Sequence, residues 1–437
     1  MDVVIVGAGP TGLTLAHELA LAGVRTTVVE RLDERMEQTK GGAIQPRTAE
    51  LLDMRGLLDP ILARAVPRET EGGHFALLPV PVDAKPWRTR HLNPISIPQW
   101  MVEEELERAA GIQVLRGHEV TAVDQDEEGV TITAGMASLR ARYLVACDGA
   151  HSTVRKLLGM PFPGRDGTYR AVLADIRLSS ASDLVPRESG HISSLVREAG
   201  EYWGMLMPIG GDRFRFTFGP EREVQTALTA IYGEQTRLAE VLTHSRFGDA
   251  TRQLEHYRQG RVFFAGDAAH IHPPLGGQGL NLGVQDAMNL GWKLSAKIAG
   301  RVDILHTYHD ERHPPAARVL HHTSAQRVLA NPGPSGDVAA LRDIFTDLMR
   351  LRHEPVPRRD DVRARRARPG ARLRPGHRRG PGPAGRVAAL RSRPAPRPGR
   401  ARVAVRLGGP SRRRARESRR GLRSAATPSG RSRVLVR

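Results

Sequence analysis

Between a four-residue apolar run, Val3 to Val6, and a helix-like stretch from Pro10 lies Gly7-Ala8-Gly9-Pro10-Thr11-Gly12. No other feature constrains the fold as tightly. Val3 to Val6 reads as a strand buried on both faces. Leu13, Ala16, Leu19 and Ala20 fall at helical spacing, and Gly23 stands where that helix ends. Thr26 to Val29 is β-branched, so residues 1–30 form a βαβ unit and call for a parallel sheet. In this setting Gly7 permits the tight turn, Gly9 lets backbone approach a pyrophosphate, and Gly12 lets helix and strand pack closely. The helix start offers unpaired N–H groups and the positive end of its dipole to phosphates. Glu30 closes the next strand, where it can accept both hydroxyls of a ribose and would repel a 2′-phosphate, leaving FAD or NAD as the resident dinucleotide. The same spelling recurs at Gly380-Pro381-Gly382-Pro383-Ala384-Gly385, but no strand precedes it and two prolines remove donors, so it carries no such meaning.

Further along, Ile112 to Thr133 reads as two or three short strands, and Arg142 to Cys147 as another apolar strand that runs into Asp148-Gly149. From about Gly164 to Arg252 apolar and polar residues alternate, the pattern of an antiparallel sheet with one open face. Arg261 to Ala265 returns to the buried, parallel style and ends in Gly266-Asp267, where a carboxylate faces the ligand crevice. Pro273-Pro274-Leu275-Gly276-Gly277-Gln278-Gly279-Leu280-Asn281 then leads into a helix whose free N–H groups can stabilise negative charge on a reduced flavin ring. NAD needs no such second clamp; a flavin does. Helical sequence continues, with breaks, towards Leu351. The expected architecture is α/β, a Rossmann-like dinucleotide domain (1–163 and 256–353) interrupted by an antiparallel-sheet domain (164–255).

The set Gly7–Gly12, Glu30-Arg31, Asp148-Gly149 and Gly266-Asp267, with Tyr308-His309-Asp310-Glu311-Arg312, resembles the class A flavoprotein monooxygenases of the para-hydroxybenzoate hydroxylase type. Within that type the likeness is greatest to the actinobacterial aromatic polyketide hydroxylases, including the angucycline oxygenases, over about residues 1–353. The resemblance implies a glutathione reductase-type FAD fold and places Asp267 on the ribityl chain. It puts Arg47 and Gln99 at the phosphate and ribityl region and Pro274 and the backbone of Gly279, Leu280 and Asn281 along the ring, and it adds Val120 to the cofactor-binding residues. Asp148, Gly149 and Arg155 match a motif tied to FAD and to transient NAD(P)H contact. Tyr202, Trp203, Met205 and Met207 are candidates for the substrate cover, with ordinary sheet core as the competing reading. The implied reaction reduces FAD with NAD(P)H, captures O2 as a flavin C4a-hydroperoxide and hydroxylates a bulky aromatic. No side chain is assigned as catalytic, because the cofactor carries the chemistry. A Baeyer–Villiger or epoxidising oxygenase on the same scaffold is the alternative.

Net charge +19 over 437 residues would point to an acidic partner, but the charge is localised. From Arg358 onward there are about 27 arginines against about 3 acids, roughly +24, leaving about −5 for the rest. The 354–437 segment, rich in Arg, Pro and Gly, has no Lys, Phe, Trp or Tyr. It reads as an out-of-frame product of GC-rich DNA or as a disordered tail. Nucleic-acid binding through it is a remote reading, since base-stacking aromatics are missing. At this C-terminus the chain departs from the subgroup, whose members usually carry a thioredoxin-like domain there. Cys147 is the only cysteine, and neither a signal peptide nor a membrane span is legible, so a cytoplasmic monomer or homodimer is expected. His270 and His272 have metal-pair spacing without a further ligand cluster, and no metal is expected.

Overall fold

The computed structural model describes residues 1–37, 41–65, 73–82, 88–188, 190–330 and 336–351. The 354–437 segment lies outside these residues. Val3–Val6 lies mid-sheet because it is apolar on both faces; Val3, Val4 and Ile5 are essentially inaccessible. It pairs in parallel with Thr26–Val29 on one side and Tyr143–Ala146 on the other. Val114–Leu115 extends the sheet beyond Thr26–Val29, Val262–Phe264 extends it beyond Tyr143–Ala146, and the hairpin strand Arg258–Gln259 closes that edge. The chain therefore winds outward one way, returns past its first strand and winds the other way. That reversal is the switch point at which α/β sheets bind ligands.

The Pro10–Leu21 and Gly279–Ile298 helices cover the sheet, burying Leu13, Leu15, Leu19, Leu282, Leu290 and Leu294 against Val4, Val28, Leu144 and Phe263. Each such side chain, fully buried, contributes about 1.5–3 kcal/mol. A three-stranded antiparallel meander, Val120–Gln125, Val130–Ala134 and Ala137–Ala141, precedes the Tyr143–Ala146 strand. The 164–252 region forms the expected antiparallel sheet, five strands in the order Val196–Ala199, Tyr202–Pro208, Arg213–Gly219, Arg170–Ser180 and Arg237–Gly248. One face packs Val172, Ala174, Ile176, Leu206, Phe216 and Phe218 against a helix, Val224–Tyr232. The stretch is not strand throughout, since residues 224–232 form this helix. Val224, Ala227, Leu228 and Ile231 are helically spaced and supply that second core.

The Thr307–Leu329 helix continues through Pro314 and Pro315, which propensity alone would treat as a stop. Its Tyr308, Arg312, Ala316 and Leu320 are buried on one side, so packing outweighs the lost backbone bonds. It is joined to Gly279–Ile298 by Lys293, whose wholly buried ammonium lies 2.9 Å from Glu311 and donates to Thr307 Oγ1 at 2.6 Å. Hydrogen bonds from Lys293, then from Asn289, push the Glu311 carboxyl down to about 2 from 4.5. A carboxyl depressed in the fold contributes stability above its unfolded pKa and loses it as pH falls. Glu311→Gln should therefore flatten stability against pH between 4.5 and about 2, measured by urea unfolding. Parallel curves for the variant and the parent would contradict the Lys293–Glu311 contact.

Candidate functional site

The parallel register sets Val6 opposite both Val29 and Ala146, and Ala146 opposite Phe264. The residues that follow these strand ends, Gly7, Glu30, Asp148 and Asp267, are thereby brought to one edge of one sheet. At Gly7 the backbone takes φ +104°, and an added Cβ would meet the Cys147 carbonyl oxygen at 2.4 Å. At Gly12 an added Cβ would lie 2.0 Å from the Gly7 carbonyl oxygen. Gly9 is different: nothing lies within 4 Å of the space a Cβ would fill. Gly9 caps the Pro10–Leu21 helix without a side-chain hydrogen bond, and no acidic residue occupies the first turn. This leaves uncapped N–H groups and an uncompensated dipole end beside open space, which suits a pyrophosphate. Glu30 is fixed beside the loop, its Oε2 accepting from the Ala8 N–H at 2.8 Å and its Oε1 from the Leu32 N–H at 3.1 Å. Lone pairs on both oxygens remain for ribose hydroxyls. Arg31 is exposed.

Asp267 follows Val262–Phe264 in a tight turn, Gly266–Ala268, in which both neighbours are buried and Asp267 alone is exposed. The carboxylate makes no hydrogen bond among the described residues. It is a free acceptor for a polyol, and the donor set along this edge fits FAD. Asp148 accepts from the Val154 N–H at 3.1 Å through Oδ2, whereas its buried Oδ1 has no hydrogen-bond partner among the described residues. Burial raises the Asp148 pKa despite hydrogen bonds from Ser152 and nearby backbone. Gly149 turns the chain at φ +79°. Arg155 lies beneath these turns. Its buried guanidinium donates to the Ala268 and Ala150 carbonyls at 2.9 and 2.8 Å and lies over the Phe162 ring, clasping the two acidic turns together.

The second backbone stretch is organised by Asn281. Its Oδ1 accepts from the Gln45 N–H at 2.7 Å, and its Nδ2 donates to the Ala43 and Gly277 carbonyls at 3.0 and 2.8 Å. This side chain therefore fastens the Gly41–Gln45 segment to the start of the Gly279–Ile298 helix; only its backbone remains for a ligand. Gly279 and Leu280 lie at that start and are half-buried, and Pro274 is exposed. Gln99, first residue of the Gln99–Ala110 helix, donates to Glu103. Its Oε1 lies 3.2 Å from where a Gly41 Cβ would be. Arg47 pairs with Glu50 on the exposed side of its helix, and the Val120 side chain is buried. On the antiparallel sheet, Trp203, Met205 and Met207 share the face opposite the helix-packed core. Tyr202 packs into that core and so is separated from the other three.

Sequence reasoning missed the device beneath the Asp267 turn. Asp286, wholly buried, accepts from the Gly266 N–H at 3.1 Å and from Arg312 Nε at 2.7 Å, with His270 Nε2 at 2.7 Å. Burial pushes the Asp286 pKa up, but His270 and Arg312 outweigh it and hold the carboxyl below 3.8. Tyr308 donates to the Phe264 carbonyl at 2.8 Å. The available signal was a carboxylate on the apolar side of one helix and an arginine on the next.

A family model described as an FAD binding domain matches residues 1–323. The 12-dehydrotetracycline 5-monooxygenase/anhydrotetracycline 6-monooxygenase of Streptomyces rimosus is 44% identical over 376 residues, covering 80% of this chain and 73% of the relative. The rifampicin monooxygenase of Streptomyces venezuelae is 41% identical over 372 residues, covering 80% and 75%. Among solved structures, the anhydrotetracycline hydroxylase OxyS from Streptomyces rimosus superposes with TM-score 0.71 at 45% identity, covering 80% of this chain and 73% of that one. Among the described residues no helix is long and apolar enough to cross a membrane.

Proposed function

The chain belongs to the FAD binding domain family, among its FAD-dependent aromatic monooxygenases, and from that premise we propose that it hydroxylates a bulky polycyclic aromatic of the polyketide type. FAD, when bound, supplies electron transfer from NAD(P)H and activation of O2. The residues of this chain bind and orient it. The uncapped Thr11 and Gly12 N–H groups receive the pyrophosphate, Glu30 the adenosine ribose, and Asp267 the ribityl hydroxyls. The Gly279–Asn281 backbone, held by the Asn281 side chain, directs the positive end of a helix at the flavin ring. The antiparallel sheet presents Trp203, Met205 and Met207 as an apolar cover that excludes water from the substrate.

The observation that carries the reading is Asp267, a carboxylate exposed in a turn whose neighbours are buried, with no hydrogen bond among the described residues. Hydrogen bonds to a charged group are worth about 1.5–3 kcal/mol. Asp267→Ala should thus raise the FAD Kd by about 10- to 150-fold, read by flavin fluorescence, with unchanged thermal unfolding of the apoprotein. An unaltered Kd would remove Asp267 from the site. The substrate assignment is tested by incubating the holoenzyme with tetracyclic and anthraquinone substrates, NAD(P)H and 18O2. A product gaining one labelled oxygen supports it, and NAD(P)H oxidation without a labelled product across the panel contradicts it.

A further inference from the structure

The sheet face that carries Trp203, Met205 and Met207 also carries a charged pair with no evident structural need. Asp175 and Arg215 stand directly opposite each other on adjacent strands, and Met207 is paired with Arg215 from the other side. Arg215 Nε and Nη2 donate to the two Asp175 oxygens at 2.8 and 2.9 Å, a bidentate fork, and each side chain is only about one-tenth exposed. Buried pairs of this kind are often replaced by apolar residues at no loss of stability. The third nitrogen, Nη1, has no hydrogen-bond partner among the described residues. It lies 3.3 Å from where a Cβ on Gly42 would be, in the segment that Asn281 fastens to the Gly279–Ile298 helix. The free end of the fork thus lies where the apolar substrate face meets the cofactor-binding loops.

We propose that the Arg215–Asp175 pair is a charge-neutral receptor for a carbonyl or phenolic oxygen of the substrate, selecting uncharged polyoxygenated aromatics against aromatic carboxylates. The inference rests on the substrate site proposed above. A guanidinium is a rigid, planar donor set, and the carboxylate that holds two of its nitrogens fixes the aim of the third. Because Asp175 already balances the cation, a neutral oxygen gains a directed hydrogen bond without a desolvated net charge. An incoming carboxylate would add an unbalanced anion within reach of Asp175. A lone arginine would do the reverse and favour the acid.

The test uses the FAD-loaded protein and one matched set of probes: 1,8-dihydroxyanthraquinone, its 3-carboxylic acid and the methyl ester of that acid. Binding is read from perturbation of the flavin spectrum, and FAD affinity is measured separately on the apoprotein. The parent should bind the neutral diol and the ester at least about tenfold more tightly than the acid, the scale of one hydrogen bond or charge contact. Asp175→Asn, which keeps shape and frees the positive charge, should shrink or invert that preference by about tenfold. Arg215→Gln should weaken the neutral ligands alone, with the FAD Kd unmoved. Equal binding of acid and ester by the parent, which needs no variant to fold, would overturn the proposal, as would binding of none of the three. An unchanged preference in Asp175→Asn would do the same, and an equal loss of FAD affinity would place the guanidinium on the cofactor instead. A chain that holds no FAD fails the function proposed above; a holoprotein indifferent to ligand charge fails only this inference.

Discussion

Arg312→Met should lower folding stability by about 3–5 kcal/mol, the cost of leaving one member of a buried pair uncompensated. Arg312 is the cation that lies 2.7 Å from an Asp286 oxygen, and Asp286 is wholly inaccessible. Without the guanidinium, the carboxylate retains only the Gly266 N–H and His270. Because Gly266 begins the turn that presents Asp267, FAD affinity should fall together with stability. Asp286→Leu combined with Arg312→Met should recover part of the stability but not the FAD affinity, since the apolar pair cannot hold the Gly266 N–H. Urea unfolding and FAD titration of the three proteins check this. A single-variant loss below about 1 kcal/mol, the range of an exposed pair, would show that the Asp286 charge is not held as described.

The second large effect separates two glycines of one motif. Gly12→Ala forces a methyl to within 2.0 Å of the Gly7 carbonyl oxygen and should destabilise even the apoprotein by about 3 kcal/mol, because helix and strand must separate. Gly9→Ala meets no atom within 4 Å, so the apoprotein should unfold almost as the parent does. Its methyl nevertheless enters the space assigned to the pyrophosphate, and FAD affinity should drop by about tenfold or more, the scale of 1.4 kcal/mol. Thermal unfolding of the apoproteins and FAD titration distinguish the two. A Gly9→Ala protein with parental FAD affinity would mean that the phosphates lie elsewhere.

The difference between those glycines also shows what a sequence reveals. The turn at Gly7–Gly12, the strand Val3–Val6 and the carboxylate at Glu30 were legible because they depend on neighbours within about 30 residues, which one βαβ unit fixes. Asp267 was legible because a buried strand ends beside it. The identity of what lies underneath was not. Asp286, Arg312 and Arg155 act through partners that only the strand order and helix packing bring near. The residue types alone did not show that Arg155 bridges the Ala268 and Ala150 carbonyls. Tyr202 and Trp203 are adjacent in sequence, yet pleating sends them to opposite faces, and only the docked helix Val224–Tyr232 decides which face is core. Pro314 and Pro315 mislead for the same reason: the local signal is a stop, and the buried face of the helix overrides it.

FAD binding as proposed requires two separated backbone stretches to meet at one flavin nucleotide. Titrating folded apoprotein with FAD, followed by flavin fluorescence and with circular dichroism as the check on folding, tests that directly. The expected result is saturation at one FAD per chain with a Kd of about 1 μM or tighter, some 8 kcal/mol of binding free energy. Folded protein that shows no saturable binding up to about 1 mM FAD, where affinity would be near 4 kcal/mol, would contradict it.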